Sequence, residues 1–321
     1  MKAVFLDALS MGNDLDFSQL EHTVDSLTCY DYSETQDIIP RLREADIAIV
    51  NKAIVDEDVM SRCPNLKLIT VTATGTNNID LDAAKQRNIR VCNAIRYGRS
   101  ALVQHNFALL LSLASNLFNY IADVRNGKWA SAQQFCLMDH PIMELEGKTI
   151  GIIGYGDLGQ GMADMAKAFG MKVLIASRNE QQASENEGDN ERVPLKSLLP
   201  QVDVLSIHCL LSSSTENLIT ATELALMKPS AFLLNTARGG IVNEQDLLAA
   251  IENRVIAGAG VDVLSEEPPK QGNPLLTVEL PNLLITPHCA WASREARQRI
   301  LDITSNSIEQ FKRNSLQRWV V

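Results

Sequence analysis

Short apolar runs recur along the chain, separated by longer polar or amphipathic stretches. Residues 3–6, 47–50, 68–71 and 90–92 form a first series, and 149–153, 172–176, 204–207, 231–235, 258–263 and 283–286 a second. Runs of this kind predict buried strands, and their alternation with helical stretches points to parallel sheets covered by helices on both faces. One segment departs from the rhythm. From about 100 to 125 the apolar positions follow helical spacing, and Leu109-Leu110-Leu111-Ser112-Leu113 is apolar on several sides. That predicts one long, largely buried helix marking the crossing between two domains. The strand–helix rhythm restarts at Leu145-Glu146-Gly147-Lys148-Thr149. The polar stretch 179–192 predicts an exposed loop, and apolar or small residues recurring on one face of 293–313 predict a last helix.

Composition agrees with this organisation and narrows the partners. A chain of 321 residues suits two domains at roughly 150 residues each. With 45% hydrophobic and 21% charged residues, each domain can bury a core. The 29 Lys and Arg against 39 Asp and Glu leave a formal charge of −10. Clustered cations are what phosphate backbones require, so this balance argues against a nucleic-acid partner. A small anionic substrate needs only one or two local cations and is compatible with it. No apolar run approaches the roughly 18 residues that span a membrane. The start, Met1-Lys2-Ala3-Val4-Phe5-Leu6-Asp7, turns acidic too soon for a signal peptide. The six cysteines are scattered with no Cys-x-x-Cys pair, which suits reduced thiols in a cytoplasmic protein and offers no metal site.

Gly154-Tyr155-Gly156-Asp157-Leu158-Gly159 fits G-x-G-x-x-G. Alone the pattern is weak, but here it follows the apolar run 149–153 and opens a helical stretch, 160–169, the context that a dinucleotide site requires. The first glycine permits the tight turn, the second lets backbone approach a pyrophosphate, and the third lets helix and strand pack closely. The N–H groups at the helix start then face the phosphates. About 20 residues on, NAD-binding chains end the next strand with a carboxylate. This chain has Ser177 and Arg178 there. A hydroxyl and a guanidinium suit a 2′-phosphate, so NADP(H) is favoured over NAD(H). The competing reading is that Arg178 only stacks on adenine and both cofactors are accepted.

Three further segments place polar residues just after apolar strands. They are Asn235-Thr236-Ala237-Arg238-Gly239-Gly240, Val261-Asp262-Val263-Leu264-Ser265-Glu266-Glu267-Pro268 and Thr286-Pro287-His288-Cys289-Ala290-Trp291. Ligands of open α/β sheets bind beyond the carboxyl ends of strands, so an Arg, a Glu and a His are expected to converge there. Each of the three has a role in the reduction of a 2-keto acid, the reaction implied by the resemblance described below. His288 is the natural proton donor, because imidazole titrates near neutrality. Glu267 would orient it and keep the imidazolium available. Arg238 would hold a substrate carboxylate and stabilise charge developing on the carbonyl oxygen. Cys209 and Cys289 read as small packing residues rather than nucleophiles. His208 reads as cofactor-lining or buried, His22, His105 and His140 as structural or surface residues, and Trp291 as either a pocket wall or interface filler.

With the glycine loop, with these three segments in the family's order and with its spacing kept from Arg238 to Glu267, the chain resembles the D-isomer-specific 2-hydroxyacid dehydrogenases over essentially its whole length. The ending His288-Cys289-Ala290-Trp291-Ala292-Ser293-Arg294-Glu295-Ala296-Arg297, with Val4-Phe5-Leu6-Asp7 and Leu15-Asp16, resembles the glycerate dehydrogenase (hydroxypyruvate reductase) branch. The resemblance implies a Rossmann-type dinucleotide domain over 100–288 and a flavodoxin-like substrate domain over 1–99 and 289–321, the last helix returning to the first domain. It implies an active site in the cleft between them and a homodimer joined through the cofactor domain, to which the helix near 109–113 would contribute. Thr74 and Gly75 match the loop whose backbone N–H groups bind the substrate carboxylate. Asp157 and Leu158 match the pyrophosphate turn, and Cys209, Thr236 and Asp262 match cofactor-lining positions, Asp262 near the nicotinamide amide. The chain departs from the family at Gln104-His105, where Glu-His is usual. The implied reaction is hydroxypyruvate to D-glycerate, with glyoxylate as a second substrate. The alternatives are a dehydrogenase for another D-2-hydroxy acid and a non-catalytic NAD(P)-sensing protein on the same fold.

Overall fold

The structure is a computed structural model that describes residues 1–177 and 191–321. Arg178 and nearly all of the expected loop 179–192 lie outside the described residues. Along the chain come β1 (Lys2–Phe5), α1 (Ser18–Thr23), β2 (Ser26–Cys29), α2 (Thr35–Leu42), β3 (Ile47–Val50), α3 (Glu57–Arg62), β4 (Leu68–Val71), α4 (Leu81–Gln86) and β5 (Arg90–Asn93). There follow α5 (Arg99–Ala114), α6 (Leu117–Arg125), β6 (Thr149–Ile153), α7 (Asp157–Ala168), β7 (Lys172–Ala176), β8 (Glu191–Val193), α8 (Leu195–Leu198) and β9 (Val204–Ile207). The remainder is α9 (Ala221–Leu224), β10 (Phe232–Asn235), α10 (Glu244–Glu252), β11 (Gly258–Val261), β12 (Leu283–Ile285) and α11 (Arg294–Lys312). The chain divides into two compact units, Met1–Gly98 with Ala292–Val321, and Arg99–Trp291.

The first unit holds a parallel five-stranded sheet in the order β2-β1-β3-β4-β5. This is the flavodoxin-like 2-1-3-4-5 order. Its inner strands are buried on both faces, so they read as continuous apolar runs rather than alternating ones. Val4, Leu6, Ala48, Val50, Ile69 and Val71 join one core with α2, α3 and α4. The opposite face holds Phe5, Ile47 and Ile49, all fully buried. Helix α11 turns Ala296, Ile300, Leu301, Thr304 and Ile308 inward, three- and four-residue steps that make one face.

The second unit holds a parallel seven-stranded sheet in the order β12-β11-β10-β9-β6-β7-β8. Counted from its own first strand this is 3-2-1-4-5-6-7, the dinucleotide-binding order with one strand added. Ile150, Ile152, Val173, Val204 and Leu234 pack beneath α5 and α7. Ile153, Leu205, Ile207, Leu233 and Val261 pack on the other face against α10 and its neighbours. Both units are therefore doubly wound α/β layers.

Two expectations need correction. The single helix over 100–125 is two helices bent by 60° at a break. Asn116 there takes φ +49, a left-handed conformation that asparagine tolerates because its short amide bonds locally. That amide donates to the Pro141 carbonyl and accepts from Asn119. The apolar pattern runs across the break and so conceals it. Residues 191 and 192, expected in a loop, belong to β8, which pairs in parallel with β7. Backbone pairing at a sheet edge tolerates polar side chains, which is also why the exposed edge strand β2 went unread. No single helix of the described residues is long and apolar enough to cross a membrane.

Candidate active site

The second unit presents most of the expected residues at the carboxyl ends of its strands. The order of strands reverses between β6 and β9, the switch point where such sheets bind ligands. Gly154 follows β6 with φ +90, and a Cβ there would lie 2.6 Å from the backbone of both His208 and Cys209, just past β9. Side chains with a Cβ are excluded twice, by conformation and by space. At Gly159 a Cβ would fall 2.1 Å from the Gly154 carbonyl oxygen, so the first turn of α7 sits directly on the loop. Gly156 is different, since a Cβ there would meet nothing within 4 Å.

That open position fits a phosphate-bearing ligand. Helices α3, α4, α10 and α11 begin with Asp56, Asp80, Asn243 and Ser293, whose side chains accept first-turn N–H groups. Helix α7 begins with Gly156, which has no side chain to do so. Its first-turn N–H groups and dipole are left for an anion, the requirement of a dinucleotide pyrophosphate. The adjacent His208 adds a second sign. Its Nε2 lies 2.8 Å from Ser206 Oγ, while its Nδ1 is buried with no hydrogen-bond partner. Burial brings its pKa down to about 4, so the ring is neutral. Asp157 holds Arg99 at 3.4 Å and Leu158 is half-buried in the same turn. Ser177 follows the end of β7, its N–H donating to the Val193 carbonyl.

The expected acid–base pair is present as a direct contact. His288 Nδ1 lies 2.5 Å from Glu267 Oε2, and the other carboxylate oxygen accepts the Leu264 N–H at 2.9 Å. Glu267 therefore accepts the Nδ1–H hydrogen bond, which leaves Nε2 as the ring nitrogen that the carboxylate does not engage. Glu266, its neighbour, has no part in the pair. His288 itself stands at φ +52, its N–H donating to the Asp262 carbonyl at 2.8 Å and its carbonyl accepting Trp291 Nε1 at 3.0 Å. Trp291 thus braces the histidine turn.

Arg238 is exposed, and its guanidinium donates to the Ala237 carbonyl at 2.7 Å rather than to the histidine pair. Its turn nevertheless abuts the glutamate loop. A Cβ at Gly239 would lie 2.0 Å from the Leu264 carbonyl group, so only glycine permits this approach. Asn235 closes the same turn by donating to the Arg238 carbonyl at 3.0 Å.

Asp262 is buried, and its side chain is a structural hub. It accepts the Thr286 hydroxyl at 2.5 Å, the Cys289 N–H at 2.9 Å and the Ala290 N–H at 2.8 Å. Thr236 is buried too, its hydroxyl oxygen accepting from Asn106 Nδ2 at 2.7 Å. His105, Asp262 and Cys289 place donor atoms within 4.8 Å of one another. Because the Asp262 oxygens already accept three hydrogen bonds, this cluster fastens a turn. Burial raises the Cys209 and Cys289 thiols above the ordinary cysteine range, with the Asp262 charge adding to it at Cys289. Both stay protonated and suit packing rather than nucleophilic attack.

In the first unit, Thr74 and Gly75 follow β4. Thr74 Oγ1 donates to the Ala94 carbonyl at 2.9 Å, and Asn93 Nδ2 donates to the Thr74 carbonyl at 2.6 Å. A residue given no role from sequence stands out nearby. Buried Asp7, just past β1, accepts the N–H groups of Asn51, Lys52 and Ala53 at 2.8, 2.6 and 2.9 Å, all just past β3. Its signal was only a lone acid after an apolar strand.

Comparison with known proteins gives this arrangement a class. Residues 107–290 match the family described as D-isomer specific 2-hydroxyacid dehydrogenase, NAD binding domain. A hydroxypyruvate reductase of Blautia hydrogenotrophica is 39% identical over 98% of this chain and 98% of its own. A glycerate dehydrogenase of Methylorubrum extorquens is 41% identical over 97% and 96% respectively. Among solved structures, an acyclic imino acid reductase in complex with NADPH and D-Arg superposes with a TM-score of 0.86 at 29% identity, covering both chains fully. The chain belongs to the D-isomer specific 2-hydroxyacid dehydrogenase family, and its second unit carries that family's nicotinamide-dinucleotide domain.

Proposed function

We propose that the protein reversibly reduces a small 2-keto acid, hydroxypyruvate to D-glycerate, and accepts glyoxylate as a second substrate. The observation that carries the reading is the His288–Glu267 contact at 2.5 Å beside the Arg238 turn. When bound, the nicotinamide cofactor supplies the hydride that reaches C2 of the keto acid. The chain supplies the rest. His288 donates the Nε2 proton to the carbonyl oxygen, and in the reverse direction takes the hydroxyl proton. Glu267 holds the Nδ1 proton, fixing the tautomer and compensating the imidazolium charge. The Arg238 guanidinium turns from Ala237 to the substrate, holding its carboxylate and stabilising the developing oxyanion. The Thr74 and Gly75 backbone N–H groups hold the substrate carboxylate. Gly154, Gly156, Asp157, Leu158 and Gly159 would hold the dinucleotide, with Cys209, Thr236 and Asp262 lining it. The names of the two relatives above support the choice of substrate.

NADP(H) is the preferred cofactor in this reading, with NAD(H) accepted. Support comes from Ser177 where a ribose-binding carboxylate would stand, and from Arg178 after it. The protein works as a homodimer in the cytoplasm. Leu109, Leu110 and Leu113 turn inward, so they serve their own unit's core. Exposed apolar side chains gather on α6, which buries no residue, and just beyond it, where Phe135 is 88% and Met138 84% exposed. All six cysteines are free, as suits a reducing compartment.

The test is steady-state reduction of hydroxypyruvate, glyoxylate, pyruvate and phosphohydroxypyruvate with NADPH and NADH in parallel. Hydroxypyruvate with NADPH should give the highest kcat/KM, and His288→Gln should lower kcat by about a thousandfold while dinucleotide still binds. A tenfold advantage for NADH, about 1.4 kcal/mol, overturns the cofactor preference. Dinucleotide binding without turnover of any keto acid overturns the enzyme reading in favour of a sensor.

A further inference from the structure

We propose that the adjacent residues His105 and Asn106 of α5 are positioning residues, a two-pronged brace that sets the turns carrying His288 and Arg238. The inference rests on the reading of those turns as the reaction centre. Successive residues of a helix point about 100° apart, so neighbours can serve two different loops. His105 Nε2 reaches Thr286 Oγ1 at 3.0 Å, and Asn106 Nδ2 reaches Thr236 Oγ1 at 2.7 Å.

The first prong has a fixed direction. The single hydroxyl proton of Thr286 goes to Asp262 at 2.5 Å, so the Thr286 oxygen is the acceptor toward His105, and Nε2 carries the hydrogen. Asp262 in turn holds the Cys289 and Ala290 N–H groups, the two residues after His288. A continuous hydrogen-bonded path therefore runs from α5 to the histidine turn. The second prong ends two residues before Arg238, in the turn that Asn235 closes. Both turns lie beyond their strands, where backbone bonds such as Thr286 N–H to Val261, His288 N–H to Asp262 and Asp262 N–H to Asn235 tie them only at their starts.

Packing alone accounts for neither side chain, Asn106 fully buried and His105 half-buried. Helix α5 buries Ala101, Leu102, Val103, Phe107, Leu109 and Leu110, and a leucine would serve its packing at either position. Asn106 is fully buried, and its Oδ1 has no hydrogen-bond partner. An unsatisfied buried oxygen opposes folding. A polar residue kept at a cost in stability points to a positional role.

The experiment compares His105→Leu, His105→Gln, Asn106→Leu and Thr286→Val with the unaltered protein. It reads amide hydrogen exchange, thermal midpoint, kcat and KM for hydroxypyruvate, and NADPH affinity. His105→Leu and Thr286→Val should speed exchange at Cys289 and Ala290 and lower kcat, each about tenfold, with KM and NADPH affinity within about twofold. His105→Gln, which restores an amide hydrogen at the same reach, should recover most of both. Asn106→Leu should speed exchange at 235–239, lower kcat similarly, and leave the thermal midpoint unchanged or higher. Unchanged exchange in both segments overturns the brace, as does acceleration spread over the whole chain that glutamine does not reverse. If the unaltered protein reduces no keto acid, the proposed function falls while the exchange pattern alone decides the brace.

Discussion

Each of the two sheets reverses its strand order once, between β1 and β3 in the first unit and between β6 and β9 in the second. Both reversals create the kind of crevice where open α/β sheets bind ligands, yet they are finished in opposite ways. In the first unit the Asp7 carboxylate follows β1 and takes three consecutive N–H groups that follow β3. An internal anion thus uses the donors that an external one would need. In the second unit glycine follows β6, nothing fills the space at Gly156, and the first turn of α7 has no side-chain cap. The difference teaches that topology only locates a crevice. Whether it binds an anion depends on whether its donors are already spent.

The largest effect that tests this comparison is expected at Asp7. Asp7→Ala leaves three N–H groups without their acceptor and should cost about 4 kcal/mol, with dinucleotide affinity unchanged. Formate added at high concentration should restore part of the thermal midpoint, because it returns a carboxylate to the vacated place. A midpoint within a degree or two of the unaltered protein would remove the internal-anion account. Gly156→Val is the converse. The space there accommodates the side chain, so the thermal midpoint should hold while dinucleotide affinity drops roughly a hundredfold, about 2.7 kcal/mol, by calorimetric titration. Intact affinity would place the pyrophosphate elsewhere.

The smallest effect is a pH dependence at His208. Its folded pKa of about 4 lies below the value of about 6.5 expected in an unfolded chain. As pH falls below 6.5 the unfolded chain takes up the proton first. The stability contributed by the neutral ring is therefore complete above pH 6.5 and declines toward pH 4, by about 2–3 kcal/mol. His208→Gln should flatten that part of the curve of unfolding free energy against pH. An identical slope in the variant would show that the ring is not the titrating group.

Much of this molecule was legible from local pattern. The ladder strands of both sheets are buried on two faces, so their apolar runs stand out from the polar segments between them. The glycine loop was legible because its three glycines fall at fixed spacing within six residues, between an apolar run and a helical stretch. Glu267 was chosen over Glu266 by spacing, and it is the residue that contacts His288. The unread parts share a physical cause. Strands β2 and β8 are made by backbone pairing with β1 and β7, which leaves little mark on side chains. The break at Asn116 is a single backbone rotation inside an unbroken apolar pattern. Asp7, His105 and Asn106 act through partners 44, 181 and 130 positions away, separations at which no periodicity operates.

By itself, then, the amino-acid sequence determined which segments bury themselves and where the glycine turn falls, and it singled out an acid, a base and a cation as candidates for the chemistry. These follow from short-range rules of side-chain periodicity, backbone freedom and residue type. Only the tertiary structure decided which donors remain for a ligand. It assigned the N–H groups past β3 to Asp7, left those of α7 uncapped, and turned Asp262 into the anchor of the histidine turn. Hydrogen-bond capacity is consumed pair by pair, and the pairs exist only once distant segments have been brought within 3 Å of one another.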